Sequence, residues 1–225
     1  MRKLNTIDYP GKLCMGLTIA GCNYRCPFCP HAELIHDYIP MEKTSMDDLV
    51  QTLRPRLGFL DGVSIDGGEP LLHRGLVDFL KELKFQGSLV KLKTNASRPN
   101  LVRLLIDKRF VDYFSVFMPA PLSKYKEVIN YRIDVKEIIS SIQIIRKSGI
   151  SHEFRVKPVP GLIEEPELLE IANFLAGAPR LVIERFKPES SMDEEYRSLS
   201  AFSEGELKGL QGLVAPYFNE TVIRS

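Results

Sequence analysis

The chain contains no tryptophan and only four cysteines, and its formal net charge is just +1. So small an imbalance of charge gives no indication of a nucleic-acid partner. No apolar run approaches the roughly 20 residues that a membrane-spanning helix needs, so no membrane partner is expected. The first eight residues also lack the hydrophobic region of a secretory signal. Because three of the cysteines are clustered, a disulfide framework is disfavoured and a reduced, cytoplasmic location is expected.

The 225 residues are enough for one domain with a buried core, and we expect residues 1–225 to form it. Strand-like apolar runs alternate with helical stretches, which indicates an α/β fold with a parallel sheet. The pattern contains about six strand–helix units, whereas a complete eight-unit barrel takes roughly 250 residues. An open, partial (β/α)6 barrel therefore fits best, and a flat doubly wound sheet is the alternative. The predicted strands cover residues 13–20, 62–66, 89–93, 111–118, 152–156 and 181–186, and a C-terminal helix is predicted at about 203–217.

Three of the four cysteines lie in one short run. Cys22, Cys26 and Cys29 have CxxxCxxC spacing in a predicted loop, residues 21–37, that follows the first strand. Three thiolates so close together can converge on one metal centre, and soft thiolates select zinc, copper(I) or an iron–sulfur cluster. A [4Fe–4S] cluster normally takes four cysteines. A cluster held by these three would leave one iron open to a substrate or cofactor.

A zinc site is the alternative interpretation of the same cysteines. His31 and His36 lie nearby, and either could complete a Cys3His site in a non-enzymatic interaction protein. Cys14 stands apart, among apolar residues of the first predicted strand, and is expected to be a small core residue.

Two further loops contain candidate binding residues. Gly67 and Gly68 end the second predicted strand and allow close backbone approach to a ligand, and Glu69 adds an acceptor for a cation or amine. Thr94 and Asn95 follow the third strand. Because the carboxyl ends of parallel strands meet at one edge of the sheet, these loops and the cysteine loop are expected to share one rim.

The CxxxCxxC run and the Gly-Gly-Glu-Pro sequence at 67–70 resemble the two best-known motifs of the radical S-adenosylmethionine (SAM) superfamily. The resemblance implies a [4Fe–4S] cluster whose open iron binds the amino and carboxylate groups of SAM. Reduction of the cluster then cleaves the sulfonium to a 5′-deoxyadenosyl radical, with no catalytic side chain needed beyond the cluster and cofactor. The resemblance also implies roles for individual residues. The cluster is held by Cys22, Cys26 and Cys29, and the amino group of SAM is received by Gly67, Gly68 and Glu69. Phe28 lies against the adenine, Arg155 faces the carboxylate or ribose, and Thr94 and Asn95 line the same rim. For Arg155 the alternative is a surface arginine paired with a neighbouring acid.

Other segments are similar to anaerobic ribonucleotide reductase activating proteins, which abstract a hydrogen atom from a glycine of a partner enzyme. They are Asp-Tyr-Pro-Gly-Lys at 8–12, residues 120–125 and residues 154–162. The implied partner is a glycyl-radical enzyme similar to anaerobic ribonucleotide reductase. No added cysteine cluster is present, so an external electron donor such as flavodoxin or ferredoxin is expected. Radical SAM chemistry on a small molecule is the alternative.

Two positions depart from the pattern of these activating proteins. They show Asp-Thr-Asn-Gly after the third strand and Met-Asp-x-Lys at the end of the fourth, where this chain has Lys93-Thr94-Asn95-Ala96 and Val116-Phe117-Met118-Pro119. In the better-known activators the lost acids help to hold a monovalent cation near the cofactor. We therefore expect the Lys93 ammonium to replace that cation, with the cofactor carboxylate as its partner. The alternative is that Lys93 points to the outer face and is solvated.

Overall fold

The structure, a computed structural model, describes residues 4–6, 8–35 and 46–224. Its helices and strands alternate along the chain, as the sequence predicts. The strands are β1 (Leu4–Asn5), β2 (Cys14–Ile19), β3 (Gly62–Gly67), β4 (Leu89–Thr94), β5 (Tyr113–Met118), β6 (Ser151–Val156), β7 (Arg180–Glu184) and β8 (Glu220–Arg224). The helices are α1 (Ala32–Ile35), α2 (Met46–Leu57), α3 (Leu76–Phe85), α4 (Pro99–Asp107), α5 (Tyr125–Ile129), α6 (Val135–Lys147), α7 (Glu165–Leu175), α8 (Glu194–Arg197) and α9 (Glu204–Val214).

The strands follow one another in chain order, β1 to β8, in one sheet. The short β1 pairs antiparallel with β2, whereas β2–β3, β3–β4, β6–β7 and β7–β8 are parallel. The order starts at β1 and ends at β8, so the sheet formed by the described residues is open. The predicted open α/β sheet is confirmed, and all six predicted strands are present.

Helix ends follow local sequence rules. Ser203 caps α9, because its hydroxyl accepts from the Glu206 backbone N–H at 3.3 Å and the Glu206 carboxylate accepts from the Ser203 backbone N–H at 2.7 Å. Pro99 and Pro166 occupy the first turns of α4 and α7, where a missing N–H costs nothing. The predicted C-terminal helix is α9, which continues as a 3-10 turn at Ala215–Tyr217.

The chain divides into two compact units, and each has its own packing. The first unit comprises residues 1–23, 33–114 and 138–151, and the second comprises residues 24–32, 115–137 and 152–225. In the first unit, Val63, Ile65 and Leu92 of β3 and β4 are fully buried. In the second, α9 packs on α7 and β8. Within the described ranges, none of the helices has the length and apolar character needed to cross a bilayer.

Candidate functional site

In the first unit, the end of β3 lies directly against the loop that follows β2. Gly67 has φ +123°, and a Cβ there would lie 2.1 Å from the Ile19 carbonyl oxygen. A Cβ on Gly68 would lie 2.0 Å from the Gly21 carbonyl oxygen. Neither position has room for a side chain. The close approach expected of these glycines is therefore present, and the backbone that they approach is the chain's own.

Glu69 joins the loop after β3 to the loop after β4. Its side chain is fully buried. The Oε1 atom accepts hydrogen bonds from the Leu71 backbone N–H at 3.0 Å and the Thr94 hydroxyl at 2.7 Å, and Oε2 accepts from the Asn95 backbone N–H at 2.6 Å. Because a buried carboxylate is costly without such donors, they fix its orientation. Glu69, Thr94 and Asn95 thus lie together, as predicted for a shared rim.

The loop after β4 also forms hydrogen bonds with the start of the cysteine loop. The Asn95 side-chain amide donates to Asn23 Oδ1 at 2.9 Å, and the Asn23 amide donates to Ser97 Oγ at 3.1 Å. The Ser97 backbone N–H donates back to Asn95 Oδ1 at 3.0 Å. All three side chains are buried. Asn23 follows Cys22 directly, so this network fixes the backbone beside a predicted cluster ligand. Neither Asn23 nor Ser97 was predicted as a site residue, although Asn23 lies inside the CxxxCxxC run.

Ala96 has a backbone conformation that favours glycine. Its φ is +58°, in the left-handed region, and the residue is fully buried. We expect Ala96→Gly to change the free energy of unfolding by less than about 0.5 kcal/mol, because relief of roughly 1–2 kcal/mol of strain offsets the lost methyl packing. Chemical denaturation measures this change.

Ala120 provides the matched control, since it is also fully buried outside helices and strands but is not among the positive-φ residues. We expect Ala120→Gly to destabilise the protein by about 1–2 kcal/mol, the usual cost of lost packing and added chain entropy. Equal losses for the two variants would show that Ala96 is not strained.

Lys93 lies inside the fold, with only 6% of its surface exposed. Its Nζ atom is 2.8 Å from Asp66 Oδ2 and 3.0 Å from Asp8 Oδ1. The alternative of a solvated lysine on the outer face is therefore wrong. The chain itself supplies two carboxylate partners, whereas the predicted partner was the carboxylate of the cofactor. The replacement of a monovalent cation by this ammonium stays a prediction.

All four cysteines lie in the described part of the chain, and none forms a disulfide. Cys14 is fully buried beside Tyr9 and Tyr113, which confirms it as a core residue. Burial, reinforced by the nearby Asp8 carboxylate, raises the pKa of the Cys14 thiol. Cys26 is buried, whereas Cys22 and Cys29 are half-buried.

The second unit positions the aromatic residue of the cysteine loop. Phe28 is buried and packs edge-on against Phe117 at the end of β5, with 6.5 Å between ring centroids. The Arg155 guanidinium lies over the same Phe117 ring at 5.6 Å, and its Nη1 donates to Glu184 Oε1 at 3.0 Å. Arg155 is only 9% exposed. It does pair with a neighbouring acid, but it is not the surface arginine of the alternative interpretation. Its contact with the cofactor stays a prediction.

Lys157 is a buried lysine that was not predicted as a site residue. Burial lowers the pKa of its ammonium, and the charges of Glu184 and Cys29 oppose this effect. Arg155 acts in the same direction as burial. The signal in the sequence was a lysine directly after the apolar end of β6, before Pro158. In the second unit, the charge of Lys157 therefore interacts with those of Arg155, Glu184 and Cys29.

The structure does not by itself assemble a metal site. Within residues 4–6, 8–35 and 46–224, no group of three or more His, Cys, Asp or Glu residues is arranged to hold a metal ion. His31 is half-buried, and His36, the other ligand considered for zinc, lies outside the described residues. Ligation by the three cysteines stays a prediction.

The match to a known family decides between the interpretations of the cysteine run. The sequence profile of the Radical SAM superfamily matches residues 17–175. The chain belongs to the radical SAM superfamily. The family's cofactors are a [4Fe–4S] cluster and SAM, and the residues present fit them. Three thiols outside disulfides provide soft donors at family spacing, and the glycine pair lets the Glu69 loop pack closely on the backbone at Ile19 and Gly21, beside Cys22. A zinc-binding interaction protein is not supported by this match.

A radical SAM relative of nearly the same length is found in Methanocaldococcus jannaschii. That protein, a candidate glycyl-radical enzyme activating enzyme, is 30% identical over 99% of this chain and 93% of its own. The 7-carboxy-7-deazaguanine synthase of Koribacter versatilis is 36% identical, but over only 41% of this chain and 39% of its own. The chain is therefore an enzyme of the radical SAM type.

The solved structures show the same fold. SuiB of Streptococcus suis, in a crystal structure bound to S-adenosylmethionine, superposes with a TM-score of 0.73 at 15% identity. The match covers 94% of this chain and 50% of SuiB. The chain thus spans about half the length of that structure. Identity this low shows the fold alone, which is the partial barrel of radical SAM enzymes.

Proposed function

We propose that this protein is an activating enzyme that removes a hydrogen atom from the α-carbon of a glycine in a partner enzyme. The observation that carries the proposal is the Methanocaldococcus jannaschii relative, which aligns with nearly the whole chain. When bound and reduced by one electron through the cluster, SAM supplies methionine and a 5′-deoxyadenosyl radical, which takes the glycine hydrogen to give 5′-deoxyadenosine and a glycyl radical.

The residues of the chain would bind and orient the two cofactors. Cys22, Cys26 and Cys29 would hold the [4Fe–4S] cluster. The loop of Gly67, Gly68 and Glu69 receives the methionyl amino group, with the Glu69 carboxylate already oriented by Thr94 and Asn95. Phe28 would lie against the adenine, and Arg155, which is bound to Glu184, would face the carboxylate or ribose of SAM.

The electron must come from outside the chain. Only Cys14 remains beyond the CxxxCxxC run, so the sequence has too few thiols for a second cluster. A low-potential one-electron donor such as flavodoxin or ferredoxin fills this role.

The test combines the reduced, cluster-loaded protein with SAM and the anaerobic ribonucleotide reductase of its source organism. A glycyl-radical signal in electron paramagnetic resonance is expected, and it should disappear when SAM or reductant is omitted.

A second candidate is radical SAM chemistry on a small molecule, which the partial match to 7-carboxy-7-deazaguanine synthase favours. Under that hypothesis the protein cleaves SAM but produces no glycyl signal with any glycyl-radical enzyme of the organism. That result would overturn the proposed activating function and leave the superfamily chemistry intact.

A further inference from the structure

Three charged residues of the first unit form an ion triad beside the Glu69 loop. The Lys93 ammonium is 3.0 Å from the Asp8 carboxylate and 2.8 Å from the Asp66 carboxylate. Lys93 is buried, and the two carboxylate side chains are 17% and 20% exposed. At this depth an ion pair is less screened than on an open surface. We call these residues the Asp8–Lys93–Asp66 triad.

The triad joins β3, the strand that carries the Glu69 loop, to β4, the strand whose end holds the Glu69 carboxylate. Asp66 directly precedes the two tightly packed glycines at the end of β3, and it lies opposite Thr18 of β2 in the parallel register. Lys93 directly precedes Thr94 and Asn95, the residues that hold the Glu69 carboxylate. The ion contact between Lys93 and Asp66 therefore fixes the spacing of β3 and β4 one residue before both strands turn into the site.

The loop itself is held by short backbone bonds. The Gly68 N–H donates to the Ile19 carbonyl at 2.8 Å, and the Glu69 N–H donates to the Gly21 carbonyl at 2.7 Å. Both hydrogen bonds require the end of β3 to keep its register with the end of β2. A shift of β3 relative to its neighbours would break these bonds and displace the Glu69 carboxylate.

Asp8 enters the triad from a part of the chain that precedes the matched family region, residues 17–175. The turn that carries it is anchored by Tyr9, whose buried ring packs on Tyr113 with 5.6 Å between centroids. The Lys12 backbone N–H closes the turn onto the Tyr9 carbonyl at 3.1 Å. Asp8 is thus presented to Lys93 by a fixed segment of the chain.

The Lys93 ammonium compensates the negative charges of the Asp8 and Asp66 carboxylates. Without Lys93, two like-charged carboxylates would share one largely buried space, and removal of one partner from such a group leaves an uncompensated charge. Asp8 and Asp66 would then separate or bind a cation from solution. Either response would move the end of β3.

We propose that Asp8 and Asp66 are positioning residues, which act through Lys93 to set the Gly67–Glu69 loop before SAM binds. The inference deepens the proposed function, because it takes the methionyl amino group as the ligand of this loop. It moves Lys93 from a direct contact of the cofactor to a support of the residues that contact it. Through Asp8, the N-terminal segment thereby helps to position the residues of the site.

The first measurement is hydrogen–deuterium exchange, followed by mass spectrometry, on the full-length cluster-loaded protein without SAM. Lys93→Met is expected to raise exchange about tenfold in peptides that contain residues 67–69 and 93–97, as the loss of one charge-assisted contact predicts. Lys93→Arg keeps the charge and can reach both carboxylates, so it should restore most of the protection. Asp8→Asn should give a smaller increase in the same peptides.

The matched control is Lys84→Met, which removes another partly buried ion pair of the first unit. Lys84 Nζ is 2.7 Å from Asp112 Oδ2, and Asp112 also accepts from the backbone N–H of Val90, near the start of β4. This variant is expected to lose stability without a change of exchange in the Glu69 loop. Exchange in that loop unchanged by Lys93→Met, or raised equally by Lys84→Met, would overturn the positioning role.

The second measurement is the dissociation constant of SAM, by equilibrium dialysis against the cluster-loaded protein. Lys93→Met is expected to weaken binding about tenfold and Lys93→Arg about threefold or less. Unchanged affinity in Lys93→Met would also overturn the positioning role. If the variants alter exchange as expected but the glycyl-radical assay with the wild type fails, the proposed function is wrong and the triad still orders the loop.

Discussion

Replacement of Cys26 by serine is expected to abolish both iron binding and SAM cleavage. Cys26 is the buried cysteine of the CxxxCxxC run. Its carbonyl accepts from the Cys29 backbone N–H at 3.0 Å, and the Arg25 N–H donates to Ile129 at 2.8 Å, so the turn around it is held by backbone bonds that serine preserves. The variant should therefore fold. A hydroxyl is a hard, weakly acidic donor and a poor substitute for a thiolate on iron.

The measurement is iron content after anaerobic reconstitution, together with the yield of 5′-deoxyadenosine. The wild type should bind about four irons per chain, as a [4Fe–4S] cluster requires. Cys14→Ala is the matched control, since Cys14 is fully buried, lies outside the run and forms no disulfide. It should keep its iron and lose about 1 kcal/mol of stability. Full iron content and normal cleavage in Cys26→Ser would contradict the assigned cluster site.

Gly68→Ala is expected to preserve the cluster but to weaken SAM binding by about ten- to a hundredfold. The added Cβ would lie 2.0 Å from the Gly21 carbonyl oxygen and 2.5 Å from its carbon, and both are backbone atoms that cannot rotate away. The loop must move, which breaks the Glu69 N–H bond to the same carbonyl. Overpacking of this kind costs about 1–3 kcal/mol, and each 1.4 kcal/mol is a factor of about ten in affinity.

Gly209→Ala in α9 is the matched control, because nothing beyond its chain neighbours and the nearby backbone of its own helix lies within 4 Å of the Cβ that it would add. It should leave SAM affinity unchanged and stabilise the helix by up to about 1 kcal/mol. Equilibrium dialysis gives the affinities, and iron content shows that both variants are loaded. Equal SAM affinity in Gly68→Ala and wild type would show that the loop can accept a side chain and does not form the amino-group site.

Local patterns in the sequence were sufficient for most of the fold. The six internal strands have apolar runs of ordinary length, and each was found within two residues of its observed ends. Two strands were missed for different reasons. β1 has only two residues and depends on its pairing with β2. β8 follows the last helix, so a search for strand–helix units does not find it, although it pairs with β7 over five residues.

The sequence predicted the candidate site through local motifs and not through the contacts between distant residues. The cysteine run and the glycine pair are local signals. They lie in the loop after β2 and at the end of β3, as predicted. The partners of the buried polar groups were not predictable, since the ion pair of Lys93 with Asp8 spans 85 positions and the hydrogen bond of Asn23 to Ser97 spans 74. Such pairings follow from the register of the strands, which no single segment specifies.

The central claim is that this enzyme takes a hydrogen atom from a glycine of a partner protein. The most direct measurement uses anaerobic ribonucleotide reductase produced with α-deuterated glycine, incubated with the reduced enzyme and unlabelled SAM. The proposed function predicts 5′-deoxyadenosine that carries one deuterium, in an amount that matches the glycyl radicals formed. Abundant 5′-deoxyadenosine without deuterium, while the reductase remains free of radical, would contradict it.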